Sequence, residues 1–401
     1  MLCQEDAWRG FLAYKESLAR PKAFARELRA FIQDRAYLPV CDEMLGGAPF
    51  PLPRKAEIGK MSSEKVRVVY TYPEPHNTVL KLLTYLLLRR YDHLFSDGLY
   101  SFRPNRSAKD AVRAFIRTPG INGMHAYKVD VANYFNSIRV DVFLPMLREA
   151  TGDDPQLFSF LSRLLEEPRV LDRGQVVTED KGIMAGTPLS AFYANLCLSD
   201  LDRHFCELGV PYARYSDDII VFAPSKEEVL AHAAFIRAHL EGLGLAVNHD
   251  KEVLYAPEDG WTFLGFSYRQ GVVDIAPQTF AKLKAKMRRK SRALHRWQRR
   301  CGAEPERAAR AFIRVFNHKL LESPGADNEL SWKSWFFPVI NTTETLHAID
   351  LYAQDCIRFL ASGTRTKARY RVRYADLKRL GYRNLVHAYY EGAGEPRSGD
   401  V

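Results

Sequence analysis

An α+β fold, with helices backing an antiparallel sheet, is what this chain predicts, and three observations predict it. Short apolar runs rich in β-branched residues (127–131 and 219–222) alternate with longer stretches of helical periodicity. A polar Ser216-Asp217-Asp218 turn separates two strand-like runs, as in a hairpin. Beyond Pro277 the strand pattern stops and helical spacing takes over.

The elements follow in order. Residues 1 to about 40 read as helix, because Trp8, Phe11, Leu12, Tyr14 and Leu18, then Phe24, Leu28 and Phe31, recur at helical spacing. Residues 41–63 read as irregular, broken by Gly46-Gly47, Pro51 and Pro53. Residues 65–72 alternate as a strand that Pro73-Glu74-Pro75 ends. A helix over 78–91 is apolar almost all round, which predicts burial. Another covers 107–116, with Asn105 or Ser107 as its cap. A strand (127–131), a helix (139–150) and a helical and hairpin stretch (155–178) come next. They are followed by a helix (189–207), strand, turn and strand (211–223), and a helix (225–243). Further strands are expected near 245–248, 252–256 and 261–268. In the last region Leu283, Met287, Leu294 and Trp297 form one apolar stripe on an otherwise basic helix.

With 401 residues the chain can bury a large core and divide into two or three subdomains. No apolar run approaches the ~18 residues that cross a bilayer, and the start MLCQEDAWRG has no signal-peptide pattern. Six scattered cysteines without a CxxC pair argue against a disulfide framework or zinc site and fit a reducing cytoplasm. Charge is segregated. Residues 277–401 hold 25 Lys/Arg against 12 Asp/Glu, a net of +13, so the rest of the chain stands at −3. A basic segment on a near-neutral body suits a polyanion such as nucleic acid.

Two carboxylates in a turn are ordinary turn chemistry when taken alone. Asp130, at the end of the 127–131 run, changes the reading for Asp217 and Asp218. Three carboxylates brought together repel one another unless a cation offsets them. Oxygen-only ligands favour two Mg²⁺ ions, or Mn²⁺, and support in-line phosphoryl transfer.

Seven blocks between about residues 60 and 270 raise the specificity. Lys128-Val129-Asp130-Val131-Ala132-Asn133-Tyr134-Phe135-Asn136-Ser137-Ile138 resembles motif A of reverse transcriptases, and 186–196 (GTPLSAFYANL) resembles motif B. Tyr215-Ser216-Asp217-Asp218 resembles the YxDD of motif C, Gly244-Leu245-Ala246-Val247-Asn248 with Lys251 motif D, and Phe263-Leu264-Gly265-Phe266 motif E. Upstream, 65–69 (KVRVV) resembles the fingers strand and 100–107 (YSFRPNRS) a bacterial block of the same family. The nearest bacterial kinds are the retron and group II intron enzymes and, above all, those of phage defence.

The resemblance implies a right-hand polymerase. Its N-terminal extension would cover 1–60, the fingers 61–126, the palm 127–270 with a fingers insertion at about 150–185, and a basic helical thumb and tail 271–401. Asp130, Asp217 and Asp218 would be catalytic, with the Val131 carbonyl as a further metal ligand and Lys251 as general acid toward pyrophosphate. Phe135 falls where the family keeps a ring that rejects a ribose 2′-hydroxyl. Lys65 and Arg67 share one strand face toward the triphosphate, and Gly186 allows close backbone approach. Arg103 and Arg106 would touch template phosphates, Tyr215 the nascent end, and Phe263, Leu264 and Gly265 the primer. Lys286 and Arg289 would follow the duplex backbone. Ser190 and Asn195 would cap or brace the helix after motif B.

Two positions depart from the family pattern. Ala185 stands where motif B has Gln, removing a polar contact near the nucleotide, and Ala191 stands where it has Pro. The implied function is RNA-directed DNA synthesis from dNTPs and a template RNA, in antiviral defence with a dedicated non-coding RNA. The resemblance leaves room for a homo-oligomer or a partner protein encoded nearby. RNA synthesis, template-independent or protein-primed DNA synthesis, and an inactive RNA-binding scaffold are the competing readings.

Overall fold

The computed structural model describes residues 2–17, 22–59, 66–322 and 331–393. They divide into two compact units, 2–17 with 23–257, and Lys22 with 258–393. No described helix is long and apolar enough to cross a membrane.

The first unit holds eight of the described strands: β1 (Arg54–Gly59), β2 (Val66–Thr71), β3 (His125–Asp130), β4 (Arg169–Asp172), β5 (Gln175–Thr178), β6 (Tyr212–Tyr215), β7 (Asp218–Ala223) and β8 (Val253–Tyr255). They form two sheets, ordered β2-β1-β4-β5 and β6-β7-β3-β8, and the second is antiparallel throughout. β7 is central, and Ile219, Ile220, Val221 and Phe222 are all fully buried, because elements cover both faces. Phe222 meets Phe115 of the helix Ala108–Arg117 at 4.7 Å between ring centroids, and the helix Lys226–Gly242 packs on β3 and β7.

Several expectations shift. The N-terminal helical stretch is three helices, Glu5–Ser17, Lys22–Gln33 and Leu38–Gly46, the last ended by Gly47 at φ +71°. The supposedly irregular 41–63 therefore includes the end of that helix and also β1. β1 escapes sequence reading because it is held by backbone pairing to β2 (Arg54↔Thr71 through Gly59↔Val66) while most of its side chains are exposed. No apolar alternation marks it. The 189–207 helix breaks at Leu198 into Ser190–Cys197 and Ser199–Glu207. Ser107 does cap Ala108–Arg117 by position, but its hydroxyl donates to the Asp110 carboxylate at 2.6 Å.

The second unit begins with a meander of β9 (Trp261–Phe263), β10 (Phe266–Arg269) and β11 (Val272–Ile275), the last unforeseen. Helices follow, among them Pro277–Cys301, Pro305–Leu320, Glu344–Ser362 and Leu385–Ala393. Buried Asp350 ties the last two together. It accepts from the Tyr382 hydroxyl at 2.5 Å and from the Leu385 and Val386 amides at 2.9 and 3.1 Å. Phe336 and Phe337 are buried in this unit.

Gly260, at φ +69°, leads into β9, and a Cβ there would run into the Tyr268 carbonyl of β10. Gly260→Ala is expected to destabilise the second unit by about 2 kcal/mol or more, since both the backbone region and the space are denied. A urea titration followed by tryptophan fluorescence would show the lowered midpoint.

Candidate active site

The register of the central sheet places the carboxylates. β3 and β7 pair with Asp130 opposite Asp218, and side chains directly opposite one another share a sheet face. β6 and β7 pair with Tyr215 opposite Asp218, leaving Ser216 and Asp217 as a two-residue hairpin turn. Ser216 takes φ +61°, a region that favours glycine, at a cost on the order of 1–3 kcal/mol. The Asp217 carbonyl accepts from the Val131 amide at 3.0 Å, which pins the turn beside the end of β3.

Like charges opposite one another in a sheet repel. Asp130 is only 5% exposed. Burial first, then the charge of Asp130 and later that of Asp218, push the Asp217 carboxyl above its ordinary value. Two ammonium groups answer this. Lys251 Nζ donates to Asp130 Oδ2 at 2.5 Å, and Lys128 Nζ lies 3.9 Å from Asp218 Oδ1. Burial draws the Lys251 amine down, but its hydrogen bond and attraction to Asp130 outweigh that and raise it. Asn248 adds a second contact, its side-chain amide donating to Asp130 Oδ1 at 3.3 Å. Among the described residues no three His, Cys, Asp or Glu side chains form a ready-made metal cage. The donors nevertheless suit a hard divalent ion: all are oxygens, two lie opposite one another, and lysine cations already partner two of them.

The strained turn is held from behind. Arg214, fully buried, makes a two-pronged ion pair with Asp202, at 2.7 Å from Nε and 2.6 Å from Nη2. The same guanidinium donates to the carbonyls of Ala194, Asn195 and Ser216. Burial works against its charge, but Asp202 more than offsets this and keeps the guanidinium protonated well above the usual range. Ser101 Oγ accepts from the Ser216 amide at 2.9 Å and donates to Asn195 Oδ1 at 3.1 Å, while the Asn195 amide returns to the Ser101 carbonyl. Asn195 thus braces the 98–101 segment against the turn. Ser190, for its part, donates to the Thr187 carbonyl.

The family model of reverse transcriptase (RNA-dependent DNA polymerase) matches residues 56–268, more than half of the chain. The chain belongs to the reverse transcriptase family. Membership brings the right-hand polymerase class, in keeping with the helix-backed antiparallel sheet around Asp130 and Asp218. A curated relative, the retron Ec86 reverse transcriptase of Escherichia coli, is 23% identical over 174 residues, 42% of this chain. The match spans 50% of that protein's length. Among solved structures, apo telomerase from Candida tropicalis aligns at TM-score 0.49 and 12% identity, covering 85% of this chain and 62% of that one. Telomerase from Candida albicans in complex with a TWJ fragment of telomeric RNA aligns at 0.45 and 11%, covering 86% and 66%.

Other expected site residues of this reverse transcriptase fall into place unevenly. Lys65 lies outside the described residues. Arg67 is exposed on β2 and shares a face with Val69, whose Cβ closely approaches Gly186 at φ +97°. Tyr134 is the buried member of its aromatic pair, its hydroxyl donating to the Ala194 carbonyl, whereas Phe135 is half-buried. Asn136, given no role from sequence, joins three segments: its amide donates to the Val68 carbonyl and its oxygen accepts from the Ala185 amide. Tyr215 is half-buried at the end of β6.

Arg103 is a correction, and Arg106 is paired within the chain. Arg103 is almost wholly buried in a double hydrogen bond to Asp92 with a further bond to the Ser96 carbonyl, and Arg106 is paired to Asp97. An internal acid thus holds Arg103, whereas the Arg106 pair lies at the surface, with Asp97 82% exposed. Phe263 is likewise fully buried, and Leu264-Gly265 form the β9–β10 turn at φ +50° and +89°, so the Phe263 ring is a core group of the second unit. Lys286 and Arg289 are exposed on the helix Pro277–Cys301.

Arg214→Ala is expected to lower the unfolding free energy by about 3–5 kcal/mol, because it strands the buried Asp202 carboxylate. Arg139→Ala, whose partner Asp141 is exposed, should leave the denaturation midpoint unmoved. Comparing the two by chemical denaturation tests the assignment.

Proposed function

We propose that this chain is an RNA-directed DNA polymerase, joining dNTPs to a priming hydroxyl on a template RNA. The observation that carries the reading is the register setting Asp130 opposite Asp218, with Asp217 in the intervening turn beside Val131. Asp130 and Asp217, with Asp218 and the Val131 carbonyl, would hold two divalent ions, Mg²⁺ or Mn²⁺. Such ions supply the Lewis acidity that activates the attacking hydroxyl and steadies the departing pyrophosphate. The half-buried Phe135 lies under the sugar and excludes a ribose 2′-hydroxyl. Arg67 binds triphosphate oxygens on the face of β2 that adjoins Gly186. Lys251 supplies a proton to the leaving pyrophosphate from its position beside Asp130. Lys286 and Arg289 hold phosphates of the template–product duplex, and Leu264-Gly265 and Tyr215 support the primer.

The biological setting we infer is antiviral defence with a dedicated non-coding RNA as template, which rests on the resemblance of the sequence blocks to phage-defence enzymes. One observation favours a second reading, DNA synthesis without a template. At position 185 a methyl group replaces the family's amide, and the Ala185 backbone is tied to Asn136 and Tyr70. Sequencing the DNA made with and without co-purified RNA separates the two readings. Random sequence in both samples would exclude templating.

Asp217→Asn should cut dNTP incorporation on a primed RNA by at least about a thousandfold with no loss of thermal stability. Near-normal incorporation by that variant would remove the carboxylate site from the chemistry. Phe135→Ala should raise rNTP use relative to dNTP by about tenfold or more, read from single-nucleotide extension gels.

A further inference from the structure

The second unit carries a feature to which the proposed function assigns no role. Arg365, Lys367, Arg369, Arg371 and Arg373 occupy every second position after the helix Glu344–Ser362, and all five are exposed. Arg369 pairs with Asp355 at 3.3 Å, and Arg358 lies 3.6 Å from the same carboxylate. Among the described residues no carboxylate pairs with Arg365, Lys367 or Arg371. Positive charge therefore remains in excess here.

This segment and the preceding helix enclose a cleft of about 490 Å³, lined in part by Tyr352, Phe359, Arg365, Lys367 and Tyr370. Its aromatic groups are unusually placed. Tyr370 is 84% exposed, a large ring left in water beside cations. The Arg365 guanidinium covers Phe359 at 4.8 Å, and Lys284 Nζ stands 5.0 Å from the Tyr352 ring. Burial and then Cys356 push the Tyr352 hydroxyl up, against the opposing positive fields of Arg288, Arg365 and Arg292. Cations alone would suit any polyanion. Cations interleaved with reachable aromatic faces suit a narrower class, because bases inside a duplex are already stacked on one another and offer no face. The volume suits a ligand of nucleotide size.

We propose that this cleft binds unpaired nucleotides of a single-stranded nucleic acid, with a base stacked on Tyr370 and phosphates on Arg365 and Lys367. All the residues involved belong to the second unit, and the site does not depend on the carboxylates of the first. Binding here would survive even if the chain proved unable to polymerise.

The test is fluorescence anisotropy with the full chain in EDTA and without nucleotides. The probes are labelled oligouridylate, oligothymidylate and a duplex of matching length. Tyr370→Ala should weaken binding of the single strands about tenfold and leave the duplex unchanged. Arg365→Glu with Lys367→Glu should weaken the same strands and flatten the dependence of log affinity on log salt by about 1.4, the value for two phosphate contacts. Tyr390→Ala, at another exposed ring, should change nothing. A preference for oligouridylate would assign the strand as RNA, and equal affinities would assign any unpaired strand. The proposal is overturned if Tyr370→Ala binds single strands as the parent does, or loses strands and duplex equally.

Discussion

The buried pair of Arg214 and Asp202 is the interaction on which the rest of the site depends. A guanidinium with no solvent exposure stands directly behind the Ser216-Asp217 turn and ties it to the helices on either side of Leu198. Isolated buried charge is costly, and the pair is tolerated because every prong of the fork finds an oxygen. What it secures is geometric. Ser216 occupies a backbone region that a side chain resists, and such a turn persists only where its surroundings over-determine it. Arg214 from one side and Ser101 from the other do so.

That constraint shapes the electrostatics in front of the turn. Holding Asp217 beside Asp130 and Asp218 concentrates negative charge at a sheet end, and the fold answers with Lys251 and Lys128. Lysine is suited to this role, being a compact charge on a flexible stem. The carboxylates thus keep a defined arrangement without needing to be pre-shaped as a cage. Rigid backing and adjustable counter-charge are divided between the two sides of one hairpin.

The two units divide the chemistry in another way. The first carries the carboxylates and the loop at Ala185 that Asn136 joins to β2. The second carries most of the chain's positive excess, displayed on helix surfaces and on the 363–374 segment. Exposed charge adds little to folding stability and much to the capture of polyanions. Fold stability in that unit comes instead from buried groups such as Phe336, Ile349 and the Asp350 anchor.

Much was legible in the primary sequence because it is local. Strand alternation, helical periodicity and the Ser216-Asp217-Asp218 turn signal depend on neighbours a few residues apart, and they place Asp130 and Asp218 at strand ends without coordinates. Other features were invisible because their partners are distant in the chain. Asp130 meets Lys251, Ser101 meets Ser216, and Asn136 meets Val68 and Ala185, only once the sheets assemble. β1 was hidden because backbone pairing, not burial, holds it. Arg103 was expected at a phosphate because the 100–107 block resembles the family's, and arginine's chemistry is the same toward any anion. Only tertiary structure, by delivering Asp92, decided that its anion is internal.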